Sequence, residues 1–73
     1  YLDVAARIKQ AFPAVPLFAY HVSGEYAMVK AAGERGWLDA DACMLEVLLG
    51  FKRAGVNGIV TYAALDVAKR LAK

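Results

Sequence analysis

The chain holds one cysteine, one histidine and two prolines in 73 residues. A lone thiol, Cys43, makes no internal disulfide and cannot by itself build a metal site. It fits a reducing, cytoplasmic setting. No apolar run approaches the roughly 20 residues of a membrane span, and no signal-peptide pattern opens the chain, so no membrane partner is expected. Nine basic and seven acidic residues are interspersed to a net charge of +2. Without a basic stripe, nucleic acid is not an expected partner either. Also missing are a Ser/His/Asp order, a phosphate-binding glycine loop and a paired-carboxylate motif.

What is abundant is apolar surface. The hydrophobic fraction is 60% without glycine, where ordinary domains reach about 45–50% with glycine included. A globule this small has much surface to cover with polar groups. The excess therefore calls for copies, partners or further chain to bury it. Tyr1 rather than methionine stands first, which agrees with a segment of something longer. The expectation is a single incomplete domain over residues 1–73.

Leu2 to Phe12 carries apolar residues at helical spacing, with Asp3 placed to cap its start and Pro13 to end it. "PLFAYHV" after Pro16 is apolar without alternation, the pattern of a parallel strand covered on both faces. Gly24 turns the chain into a second helix over Glu25–Glu34, which Gly36 stops. A third helix follows Asp39 as cap, with Met44, Leu45, Leu48, Leu49 and Phe51 on its apolar face and Gly55 as the stop. "GIVTY" is a second strand, and Leu65 to Leu71 a last helix. The order helix, strand, helix, helix, strand, helix implies an α/β fold with two parallel strands. Two strands alone make no covered sheet. The pattern suits the last quarter of a (β/α)8 barrel or one edge of a doubly wound sheet.

In both architectures ligands sit at the carboxyl ends of the strands. Those ends are Tyr20 to Ser23 and Thr61 to Ala63. Ser23 and Tyr62 each bring a hydroxyl that can donate to a carboxylate, if the strands are neighbours. Ser23 also reads as the N-cap of the second helix, and Tyr62 as an aromatic filling a barrel. His21, in an apolar strand, reads as a hydrogen-bonded core residue, Glu25 as an acid favoured by the helix dipole, and Cys43 as a small buried filler. Lys30, Lys52 and Arg53 read as solvated helix cations.

The strings "YHVSGEYAM", "FKRAG" and "TYAALDVA", with "YLDVAARIKQAFP" and "AAGERGWLD", resemble the porphobilinogen synthase (5-aminolevulinate dehydratase) family over essentially the whole chain. The resemblance implies the carboxyl-terminal portion of a (β/α)8 TIM barrel. It implies an enzyme, a hydro-lyase condensing two 5-aminolevulinate molecules to porphobilinogen with loss of water, in tetrapyrrole (heme) biosynthesis. It places Ser23 and Tyr62 on a substrate carboxylate, with Tyr20 lining the pocket. It also implies a homo-octamer and a zinc or magnesium ion, whose ligands fall outside this sequence. The family's Schiff-base lysine lies in a segment ahead of Tyr1. None of Lys9, Lys30, Lys52, Lys69 or Lys73 stands in the matching motif, so these 73 residues alone are expected to be inactive. Two positions depart from the family pattern: Asn57 stands where an acid is common, and Ala63 where an aromatic commonly follows the tyrosine. The competing reading is a non-catalytic fragment that self-associates through its apolar faces, and a third is a different barrel enzyme.

Overall fold

The two short strands, β1 (Phe18–His21) and β2 (Gly58–Thr61), lie side by side and parallel in the computed structural model, which describes residues 1–72. Phe18 is paired with Gly58 and His21 with Thr61, so the strands end level. Both carboxyl ends therefore open on the same side. Around them run α1 (Leu2–Ala11), α2 (Ser23–Glu34), α3 (Ala40–Arg53) and α4 (Ala64–Leu71). The order matches the sequence reading, and every boundary falls within two residues of it. Lys73 lies outside the described residues.

Alternation along the strands gives the sheet two unlike faces. Ala19, His21, Ile59 and Thr61 turn toward the helices, where His21, Met44, Phe51 and Ala63 form the buried centre. Phe51 meets the His21 ring edge-on, with centroids 5.7 Å apart. The opposite face carries Phe18, Tyr20 and Val60, continued by Tyr62 just beyond β2, and all four are exposed. Among the described residues only the helix side is covered, as expected of two strands that alone make no covered sheet. Consecutive apolar residues signal two buried faces, but the sequence does not say which segment buries each one.

Three helix details also differ from expectation. Helix α1 begins after Tyr1 with no side-chain cap, and Asp3 sits inside its first turn, where the dipole alone favours it. Helix α2 is capped by Val22 through the backbone, so Ser23 is its first residue and not its cap. Cys43 is half-buried rather than fully enclosed. Asp39 does cap α3, accepting from the Ala42 amide at 3.1 Å.

Geometry demands glycine at positions 33 and 55. A Cβ on Gly33 would lie 2.6 Å from that of Ala40, so the α2–α3 corner closes only without a side chain there. Gly55 takes φ +100, a left-handed conformation that ends the α3 turn against the Lys9 side chain. Lys9 itself reaches across from α1, donating to the Val15 carbonyl at 2.9 Å and to Asn57 Oδ1 at 2.7 Å. Asn57 Oδ1 also accepts from the Leu17 amide at 2.9 Å. The amino ends of both strands are thereby tied together. At the far edge, Arg70 of α4 pairs with Asp41 of α3.

Candidate functional site

The level strand ends bring Tyr20 and Tyr62 together. Tyr20 points to the open face near the end of β1, and Tyr62 is the first residue after β2. Tyr20 Oη donates to Tyr62 Oη at 3.2 Å, and the rings lie tilted with centroids 6.4 Å apart. Because the neutral phenol of Tyr20 is the donor, its pKa is raised above the ordinary tyrosine value of 10.0. The hydrogen bond to Tyr62 is the main cause, with partial desolvation and the repulsion of a charged Tyr62 behind it. With its oxygen accepting from Tyr20, Tyr62 keeps its own proton for another partner.

Tyr62 is also backed by Tyr26 of α2, with ring centroids 5.8 Å apart. Lys30 lies one helical turn on, its Nζ 5.9 Å from the Tyr26 ring centroid. An open hollow of about 390 Å³ is lined by Tyr20, Val60, Thr61 and Tyr62. A larger hollow of about 680 Å³ runs between α1, β1 and α3, past Leu2, Ile8, Phe18 and Phe51. Tyr20 borders both hollows, whereas Tyr62 lines only the smaller one, where the two phenol oxygens meet.

Ser23 opens α2 two residues beyond β1, exposed and free of a capping bond. Its hydroxyl is therefore available, as is the positive end of the α2 dipole that begins there. Of the three residues singled out from the sequence, Tyr20 and Tyr62 touch each other. Ser23 stands at the same end of the sheet without bonding to either. Lys30, Lys52 and Arg53 are exposed on their helices, as expected, and Arg53 pairs with Glu46 at 3.1 Å.

His21 is fully buried, which agrees with the core reading. Its Nδ1 lies 2.9 Å from Thr61 Oγ1. Thr61 Oγ1 also accepts from the Ala63 amide at 3.1 Å, enclosing Tyr62 in a small turn. Tyr26 and Thr61 carry parts of the arrangement that the sequence reading left unassigned. Tyr26 could have been found from its place three residues after Ser23, on the same helix face. Thr61 could have been found from a hydroxyl residue two positions before Ala63, the spacing of a side-chain turn.

Paired parallel strands with helices on one face, and hydroxyls gathered at the carboxyl ends, are the arrangement of a portion of an α/β fold of the (β/α)8 barrel or doubly wound kind. The chain belongs to the delta-aminolevulinic acid dehydratase family, whose model matches residues 1–70. It is 56% identical to the delta-aminolevulinic acid dehydratase of Bradyrhizobium diazoefficiens over 71 residues, covering 97% of this chain and 20% of that protein. The Streptomyces coelicolor enzyme is 51% identical, covering 97% of this chain and 21% of that protein. A crystal structure of the Toxoplasma gondii enzyme, porphobilinogen synthase in complex with its reaction product porphobilinogen, superimposes with a TM-score of 0.90. It is 51% identical over 94% of this chain and 19% of that one. The chain thus spans about a fifth of the length of the relatives it matches.

Proposed function

We propose that these residues form the substrate-carboxylate grip of a porphobilinogen synthase, which condenses two 5-aminolevulinate molecules to porphobilinogen with loss of water in heme biosynthesis. The observation that carries this reading is the Tyr20–Tyr62 bond at the strand ends, in which the Tyr62 oxygen accepts and its own proton is left for a partner in the open hollow that both residues line. Ser23 donates from the start of α2, and amides of the first helical turn favour the negative charge. Tyr20 and Tyr26 wall the hollow and hold the Tyr62 ring. Two small flexible molecules react only when both are oriented, and gripping a carboxylate supplies part of that orientation.

None of the lysines within the described residues points to imine chemistry. Lys9 is engaged with Val15 and Asn57, and Lys30 lies over the Tyr26 ring. The amine-binding lysines that the resemblance implies belong to the remainder of the barrel. The same holds for zinc or magnesium. Among the described residues no three of His, Cys, Asp and Glu gather to hold an ion. His21 Nδ1 is already committed to Thr61. The donors present do not fit a metal, and no step here is assigned to one.

The homo-octamer and the cytoplasmic location form part of the same proposal, supported by the resemblance and by the single thiol. Self-association through the open sheet face is the rival reading, and the exposed Phe18, Tyr20, Val60 and Tyr62 favour it. Steady-state kinetics of a full-length enzyme carrying this segment separates the two. Each of Ser23→Ala and Tyr62→Phe removes a hydrogen bond to a charged group. At about 1.5–3 kcal/mol, that raises KM for 5-aminolevulinate roughly ten- to a hundredfold. Unchanged kinetics in both variants would sink the carboxylate assignment.

A further inference from the structure

His21 occupies a position the proposed grip does not use. Its ring is completely buried on the helix side of the sheet, directly behind the open face that carries Tyr20 and Tyr62. His21 and Thr61 are the last register pair of the sheet. Their side chains meet at 2.9 Å, Nδ1 to Oγ1. The other ring nitrogen, Nε2, is buried without a hydrogen-bond partner, and Glu25 Oε2 lies 4.0 Å from it.

The arrangement selects one tautomer. The Thr61 hydroxyl has one proton to donate and lone pairs to accept with. One lone pair takes the Ala63 N–H. If Nδ1 carried the imidazole proton, bare Nε2 would face the Glu25 carboxylate, lone pair against negative charge. If Nε2 carries it, that N–H lies near the carboxylate with favourable charge, though beyond hydrogen-bond distance, and Nδ1 accepts the Thr61 proton. The second arrangement avoids that repulsion, and it locks the Thr61 hydroxyl in one rotamer.

We propose that His21 is a positioning residue that, through Thr61, fixes the turn aiming Tyr62 into the hollow. Thr61 precedes Tyr62, and the Thr61 hydroxyl holds the amide of the residue that follows it. Tyr62 is therefore clamped on both sides by one oxygen, whose orientation the imidazole sets. On its other side the ring faces Glu25, two residues after Ser23 in the first turn of α2. One buried ring thus stands between the two turns that present Tyr62 and Ser23.

The inference rests on the carboxylate-grip reading above, and its test separates the two. In a full-length enzyme carrying this segment, Thr61→Val keeps the branched shape and deletes the hydroxyl. The expected result is a rise in KM for 5-aminolevulinate of about tenfold, with kcat within about twofold. Thr61→Ser restores KM, and Thr61→Val adds nothing in a Tyr62→Phe background. If Tyr62→Phe raises KM while Thr61→Val does not, or if Thr61→Val costs as much without the Tyr62 hydroxyl, the positioning role is overturned and the grip stands. If Tyr62→Phe leaves KM unchanged, the positioning role is overturned, and if Ser23→Ala does so as well, the grip falls with it. Nitrogen-15 NMR of the His21 ring in the unsubstituted enzyme gives a readout independent of any variant. A proton on Nε2 supports the inference, and a proton on Nδ1 overturns it.

Discussion

The Lys9 ammonium donates to Asn57 Oδ1 at 2.7 Å across 48 residues of sequence, and the same oxygen accepts the Leu17 amide. One side chain thereby joins α1, the approach to β1 and the approach to β2. Asn57→Ala removes both bonds and costs about 1–2 kcal/mol after allowance for exposure. Hydrogen exchange at the Leu17 amide should accelerate by about tenfold or more. Asn57→Asp keeps the oxygen that accepts both bonds and adds a charge opposite Lys9, a gain of at most about 1 kcal/mol that fades as salt is added.

If Tyr62 and Ser23 grip a carboxylate, the methyl ester of 5-aminolevulinate should be a poor substrate for the unsubstituted enzyme. The Tyr62→Phe variant should discriminate less between acid and ester, by roughly tenfold. The measurement is the ratio of kcat/KM for the two compounds. An equal ratio in both enzymes would place the carboxylate elsewhere.

Tyr20 should ionise later than an ordinary tyrosine, because its neutral form donates to Tyr62. Its folded-state pKa is raised above the unfolded one. The stabilisation from this bond is therefore fully present below the ordinary tyrosine pKa and is lost as pH rises through the raised value. Ultraviolet titration should show a phenolate step above pH 10.0 that Tyr20→Phe removes. A step that survives this substitution belongs to another residue.

The corner between α2 and α3 should reject even one methyl group. Gly33→Ala sets a Cβ 2.6 Å from that of Ala40, and such overpacking costs about 1–3 kcal/mol. Ala40→Gly, neutral or mildly destabilising alone, should recover most of that loss when the two are combined. Denaturation midpoints of the single and double variants decide the matter. Additive losses would show that the corner is not the point of strain.

Much of this was legible in the sequence because local chemistry decides it. Pro13, Gly36, Asp39 and Gly55 mark helix ends through local chemistry, and each stands within two residues of an observed boundary. Parallel strands open their carboxyl ends on one side, so Ser23 and Tyr62 could be sent to the same mouth, with Tyr20 added by the family resemblance. The missed features depend on packing. Which face of "PLFAYHV" this chain covers is set by how α2 and α3 fold back, which spacing does not encode. Ser23 looks like a cap by residue type, yet the helix starts one residue earlier and leaves its hydroxyl free. The tie between His21 and Thr61 joins residues 40 apart, and only the strand register brings them together.

The two-stranded sheet has consequences for engineering as well as for catalysis. Each strand is paired on one side only, and the aromatic side of the sheet is bare. A separately expressed remainder of a family barrel would have to meet both unpaired edges at once to seat this piece. Turnover recovered on mixing would then signal a complete match on both flanks, whereas adhesion at one flank alone would leave the Tyr20–Tyr62 pair wet and the mixture silent.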